Sequence, residues 1–538
     1  MTGRCLLAFT TLVGSACVAA LAAERPVPRL ERADGAARLV VDGAPFLMLG
    51  AQAHNSSASD PAAIARFFEG VARLGANTAE APVYWELVEP EPGRFDFRLV
   101  DTLLSQARAA GVRLVLLWFG SWKNGESHYA PAWVKRDRKN YLRVRGPAGD
   151  ERDILAPTCL TARDADARAF AALMAHLRTA DAAERTVILV QLENETGLLG
   201  AERDRSPEAE KLFRTAVPQE LTAYLAARRE TLAPSLDAEW TKAGRRTAGT
   251  WSEVFGMLAD EAFSAWHVAR YVDAVASAGK QAYPLPMYAN AWLINPGDER
   301  TGRWPSGGPT AHVLDVWKAA APHLDLLAPD IYQPKVEAIC AQYSRADNPL
   351  FVPEIALDPH YAAYAFPILG RFGGLGVAPF GVERGGDADA ALREFATSFR
   401  VLRPLLPLIA RLQGSGRLHV LVQDVDSQQV LRVGPRVALV ASFPRPWSLD
   451  GPLGRALVLA LAPDDLVVAG VGVELTVRDL RAPLDDPHRW ATRQPILSLE
   501  EGTFEAERWV AGRRLNGDER WVRFSPEGGI VRVRLDLP

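Results

Sequence analysis

Two glutamates in this chain end short apolar runs: Glu195, in Gln191-Leu192-Glu193-Asn194-Glu195, and Glu354, in Val352-Pro353-Glu354-Ile355-Ala356. Runs of this kind suit β-strands buried on both faces, and a carboxyl at such a strand's end projects where chemistry is done. Two carboxyl groups about 5–5.5 Å apart, one protonated and one ionised, can cleave a glycosidic bond by double displacement. Burial and a like-charged neighbour are expected to keep Glu195 protonated as the acid/base. Glu354, as the nucleophile, must be held ionised by hydrogen bonds, with Tyr332 the candidate donor.

Such a pair needs a scaffold that aims both strand ends at one place. Eight runs supply it: Phe46–Asn55, Ala76–Trp85, Arg113–Trp122, Thr186–Glu195, Pro284–Trp292, Asp325–Tyr332, Pro349–Ala356 and Gly374–Glu383. Amphipathic segments such as Pro61–Leu74, Arg98–Ala110, Ala165–Thr179 and Glu261–Ala278 lie between them. The alternation predicts an α/β chain with a (β/α)8 TIM barrel, in which strands four and seven face each other across the mouth. Polar and aromatic residues gather at the same strand ends: His54, Asn55, Trp85, Glu86, Trp122, Lys123, Asn124, Asn194, Asn290, Trp292, Tyr332 and Glu383. The long gap from Glu195 to Pro284 is read as extra helices near Gln219–Arg229 and Ala238–Lys242 that wall the site. Past residue 391, a helix over Arg393–Leu412, interrupted by Pro404 and Pro407, leads into an antiparallel β domain. Its strands are expected at Leu418–Val422, Val437–Ser442, Ala456–Leu461, Leu466–Ala469, Gly472–Val477, Trp521–Phe524 and Ile530–Leu535. The domain assignment is therefore 1–23 signal peptide, 24–390 barrel, and 391–538 β-rich domain with its connecting helix.

Composition narrows the function classes. Among 538 residues, 48% are apolar and 23% charged, which allows a packed core and excludes a disordered or fibrous chain. A net charge of −4 provides no basic field for nucleic acid or anionic lipid. Residues 1–23 read as an export signal: Arg4, an apolar stretch from Leu6 to Ala16, and an Ala20-Leu21-Ala22 cleavage site. The expected mature protein is exported, periplasmic or secreted, without stable membrane insertion. A lipoprotein reading through Gly14-Ser15-Ala16-Cys17 is the lesser alternative, because Gly14 stands where a branched apolar residue is usual. Cleavage would leave Cys159 and Cys340, which pair only if geometry allows. Zinc, nucleotide and serine-hydrolase motifs are absent from the sequence, so no cofactor and no metal are expected.

The ordered segments Gly50–Ser57, Asn77–Phe97, Leu117–Gly125, Gln191–Gly197, Tyr283–Leu293 and Val352–Ala356 resemble bacterial β-galactosidases of glycoside hydrolase family 35. The tail resembles the β domain that follows the barrel in one bacterial branch. This resemblance implies Glu195 as general acid/base, Glu354 as nucleophile and Asn194 as partner of the sugar 2-hydroxyl. It also exposes a departure: where many members carry a galactose-contacting Tyr, this chain has Pro82. Tyr84, Trp122, Lys123 or Asn124 is expected to take over that contact, with Lys123 and Asn124 reading the axial 4-hydroxyl. His54 and Asn55 would reach the hydroxyl side of the ring, Asn290 and Trp292 would line the mouth, and Tyr332 would contact the nucleophile. The Trp85, Trp122, Trp292 and Trp304 rings are candidate stacking faces. The implied function is exo-cleavage of terminal β-D-galactosyl residues from oligosaccharides, with xyloglucan-derived side chains as one substrate class and an oligomer allowed. The alternatives are another retaining enzyme of the clan (β-glucosidase, β-mannosidase, endo-glucanase or α-L-arabinopyranosidase) or a noncatalytic carbohydrate-binding barrel.

Overall fold

The computed structural model describes residues 25–33, 36–384, 388–426, 428–448, 450–481 and 494–537. The export-signal reading of residues 1–23 falls outside them. Eight parallel strands close a barrel: Met48–Gln52, Thr78–Tyr84, Arg113–Lys123, Val187–Asn194, Met287–Trp292, Leu326–Ile331, Val352–Ile355 and Gly376–Pro379. All eight lie within or at the edge of the expected runs. Strand eight pairs with strand one to close the ring, Gly376 opposite Met48. A Cβ on Gly376 would come within 2.5 Å of the Met48 Cβ, so glycine is what lets this seam form.

The helices follow from local signals as much as from pattern. Asp60 caps Pro61–Leu74 by accepting from the Ala62 and Ala63 amides, Pro61 begins the helix, and Gly75 ends it at φ 68°. Buried Ile64, Phe67, Phe68, Val71 and Leu74 form the face laid on the barrel. Between strands four and five, helices Pro207–Phe213, Gln219–Ala227, Pro234–Lys242 and Trp251–Phe255 precede Ala259–Ala282, which fits the expected helical insertion.

Helices Ala388–Leu402 and Leu406–Leu412, joined by a 3-10 turn at the prolines, lead into two antiparallel sheets of six and four strands. The larger sheet is covered on both faces. Leu457, Leu459, Val467 and Ala469 join the barrel's own apolar core, whereas Ala456, Val458, Leu466 and Val468 fill the space between the two sheets. Fully buried Arg455 reaches Glu394 on the connecting helix at 3.2 Å.

Several elements lie beyond the sequence reading. They are the antiparallel strands Arg29–Ala33, Ala36–Val41 and Ala44–Pro45, the ribbon of Arg143–Arg145 with Glu151–Leu155, and the sandwich strands Gln428–Val433, Ile496–Glu505 and Arg508–Leu515. Edge strands such as Gln428–Val433 and Arg508–Leu515 bury little, so no apolar run reveals them. Cys159 and Cys340 are both free, buried thiols and form no bridge. Among the described residues, no helix is long and apolar enough to cross a membrane.

Candidate active site

Strand four ends unusually. In a regular strand, neighbouring side chains alternate faces. Here Glu193 (φ 59°) and Glu195 (φ 47°) take left-handed backbone, and consecutive Asn194 and Glu195 both enter one polar cluster at the mouth. Non-glycine residues adopt this conformation at a cost of about 1–3 kcal/mol and gather at functional sites. The segment is fastened from behind: Glu193 accepts from the Trp122 amide at 2.8 Å, and burial, then the charge of neighbouring buried Asp166, pushes its carboxyl well above the ordinary range. Asp166 in turn accepts from Trp118 Nε1 at 2.8 Å and Ser121 Oγ at 2.6 Å.

Across the mouth, carboxylate oxygens of Glu195, Asp330 and Glu354 lie within 4.8 Å of one another, all three buried. Tyr332, on the loop after strand six, donates its hydroxyl to Glu354 Oε1. Asn290 is the hinge of the cluster. Its Oδ1 accepts from the Glu195 amide at 2.9 Å, while its Nδ2 donates to Asp330 Oδ2 at 2.6 Å and to Asn194 Oδ1 at 3.2 Å. Gln191 Nε2 also donates to Asn194 Oδ1, at 3.0 Å.

Three carboxylates this close in a dry site cannot all ionise. Burial, with Glu354 adding to it and Lys123 opposing, pushes the Glu195 carboxyl up to about 7. Burial and then the Glu354 and Glu195 charges hold Asp330 well above the ordinary range. Buried Lys123, at the end of strand three, is the cation facing them. Glu195 thus holds its proton to near neutrality, while Glu354 accepts a hydrogen bond from Tyr332. The three carboxyl groups stand close enough to hold a cation, although cleavage by a carboxyl pair needs no metal.

The remaining expected contacts divide. Asn55 and Asn124 each bury a side-chain oxygen with no partner among the described residues, which leaves them free to accept from a ligand. Asn194 Nδ2 is likewise buried without an acceptor. His54 lies partly buried beside Phe380, its amide donating to Glu383; burial, then nearby Arg384, lowers its pKa. Trp292 is half-buried at the end of strand five.

Other expectations need correction. Tyr84 is 2% exposed, and its hydroxyl donates to the Asn55 carbonyl and accepts from the Ala58 amide, so it pins the first mouth loop and cannot replace the missing tyrosine. Trp122 is fully buried edge-on against Tyr271 and offers no face to a sugar. Asn290 spends both amide ends inside the protein, which makes it a positioning residue. Trp85 and Trp304 are also buried, Trp85 bonded to Glu89. Glu86 is ion-paired with Lys135.

Sequence reasoning missed Asp330. The signal was available: Asp330 and Tyr332 stand two apart at one strand end, the spacing that places both on one face.

Residues 38–242 match the family model for glycosyl hydrolases family 35. Over this stretch the chain is similar to family 35 glycosyl hydrolases. The match includes Glu195 but stops well short of Glu354, whose place beside Glu195 rests on the geometry alone. Residues 395–525 match a domain of unknown function, DUF5597, which covers most of the β domain. A search of curated proteins gave no match. Among solved structures, the chain resembles a β-galactosidase from Bacillus circulans sp. alkalophilus at 15% identity and TM-score 0.46, over 68% of this chain and 57% of that one. It resembles the β-galactosidase of the haloarchaeon Halorubrum lacusprofundi at 17% identity and TM-score 0.44, over 67% and 58%. The catalytic domain of β-amylase from Paenibacillus polymyxa aligns at 14% identity and TM-score 0.45, over 66% and 98%. The chain thus spans under two thirds of the length of those two β-galactosidases, and likenesses this distant add nothing to what its own barrel shows.

Proposed function

We propose that the protein is a retaining exo-β-galactosidase, exported from the cell, which removes terminal β-D-galactosyl residues from oligosaccharides. One observation carries this reading: Glu195 and Glu354, from opposite strands, bring carboxylate oxygens within 4.8 Å, the approach double displacement needs. Glu354 attacks the anomeric carbon while Glu195 protonates the departing glycosidic oxygen. Glu195, now a carboxylate, takes a proton from water, which attacks the glycosyl ester and releases galactose with its configuration retained. Asn194, held through its Oδ1 by Gln191 and Asn290, keeps an unpartnered amide group that is assigned to the 2-hydroxyl, a bond that strengthens in the transition state. Asn55, Lys123 and Asn124 are the side chains assigned to the galactose hydroxyls.

Galactose specificity and xyloglucan-derived side chains rest on the family resemblance, and export rests on residues 1–23. Trapping with a 2-fluoro-galactosyl reagent, followed by peptide mapping, tests sugar, stereochemistry and nucleophile together. The expected result is a covalent adduct on Glu354. An adduct elsewhere removes the nucleophile assignment. No adduct, with faster turnover of nitrophenyl glucoside or mannoside than of galactoside, replaces the sugar assignment.

A further inference from the structure

We propose that Asp330 acts as a neutral carboxylic acid that donates a hydrogen bond to Glu195 and so sets the pH at which Glu195 gives up its proton. The inference rests on the Glu195–Glu354 reading and adds a third carboxyl to it. Asp330 is 1% exposed and belongs to strand six, directly opposite Glu354 in the strand register. Asn290 Nδ2 fixes its Oδ2 at 2.6 Å. Its Oδ1 has no N–H or O–H donor among the described residues, and its carboxyl is in hydrogen-bonding reach of Glu195. A bare carboxylate oxygen in that position would be costly, whereas a proton on it supplies the bond that Glu195 lacks.

Counting charge leads to the same state. Glu195, Glu354 and Lys123 face Asp330 from strands four, seven and three, the phenols of Tyr288, Tyr332 and Tyr343 lie around it, and buried Glu80 on strand two, held well above the ordinary range by burial and then by Glu354, acts on the same Tyr288. With Glu354 ionised as nucleophile and Lys123 charged, the cluster is neutral only when both Glu195 and Asp330 carry protons. When Glu195 passes its proton to the leaving oxygen, the Asp330 hydroxyl donates to the new carboxylate and stabilises it until water restores the proton. Asp330 keeps its own proton throughout. It is a positioning residue, acting on the sugar only through Glu195.

The bland alternative is an ionised Asp330 that merely repels Glu195. The two differ in the direction in which Glu195 moves. An Asn at 330 can still accept from Asn290 and donate to Glu195, so it imitates the neutral acid. The test is the pH profile of kcat/KM for Asp330→Asn and Asp330→Ala, on whichever nitrophenyl glycoside the wild type cleaves fastest and on a glycoside with a sugar leaving group. For Asp330→Asn, the alkaline limb is expected to stay within about 0.3 pH of wild type, and most of the activity lost in Asp330→Ala to be recovered. For Asp330→Ala, loss of the donor raises the limb and lowers turnover about 10- to 100-fold, most severely with the sugar leaving group. A limb that falls by a pH unit or more in Asp330→Asn shows that a negative charge was removed and overturns the proposal. So does an Asp330→Asn enzyme as impaired as Asp330→Ala, with an unmoved limb. The Asp330→Asn profile decides the matter even if Asp330→Ala does not fold. Glu354→Gln, assayed alongside, separates the two levels: if it retains activity, the catalytic pair itself is wrong; if it is dead, only the role of Asp330 is under test.

Discussion

The two ends of strand four treat a buried carboxylate in opposite ways. At its start, fully buried Asp181 accepts from Arg108 at 2.8 Å and from the Thr186 and Val187 amides at 2.9 and 2.8 Å. Every demand is met, and the group clamps the strand's entry. At its finish, Glu195 shares a 4.8 Å cluster with two more carboxyls and depends on burial to stay protonated near neutrality. One end is built for stability and the other holds charge in tension, the division expected between the floor and the mouth of such a barrel.

Substitutions can break that contrast, and the largest effect belongs to Glu354. Glu354→Gln is expected to lower kcat by about 10^4-fold or more, with the fold intact by circular dichroism. A residual rate within tenfold of wild type would mean the mouth is no catalytic centre. Glu195→Ala should cost about 10^2–10^4-fold on substrates with sugar leaving groups, and far less on activated aryl glycosides. Equal losses on both would contradict an acid role. Because Glu195 must be protonated to act, wild-type kcat/KM should fall as pH rises through about 7, and this alkaline limb should disappear from the residual rate of Glu195→Gln. The same raised value means the folded protein holds this proton where an unfolded chain has lost it. Glu195 therefore costs stability as pH rises from about 4.5 to 7, and Glu195→Gln should raise Tm more at pH 8 than at pH 5.

Smaller again, Tyr332→Phe removes the donor to Glu354 and should lower kcat/KM about tenfold. At the floor the sign of the experiment reverses. Asp181→Ala strands two buried amides and is expected to cost about 1–3 kcal/mol of stability by chemical denaturation, while kcat/KM stays within about twofold. A kinetic defect as large as that of Tyr332→Phe would show that floor and mouth are coupled.

What the sequence made legible follows the same division. All eight barrel strands were readable because double-sided burial leaves continuous apolar runs, and strand-end glutamates stand out against them. Side-chain direction was not. Tyr84 and Trp122 sit among mouth residues in sequence, yet one is bonded into a loop and the other turned into the core. Asn194 and Glu195 share a site only because left-handed backbone breaks the strand's alternation, which residue type does not announce. Asp330 was passed over although its spacing from Tyr332 was readable, because one strand-end carboxyl gains meaning only when two others are seen around it.

The β sandwich has a consequence for anyone wishing to shorten this protein. Its larger sheet contributes Leu457, Leu459, Val467 and Ala469 to the same apolar mass that surrounds the barrel, and Arg455 is locked to the connecting helix. Cutting the gene after residue 412 would strip that mass of its lid and expose a greasy flank to water. Such a fragment should be recovered as inclusion bodies, so the sandwich is better regarded as the barrel's missing wall than as a removable accessory.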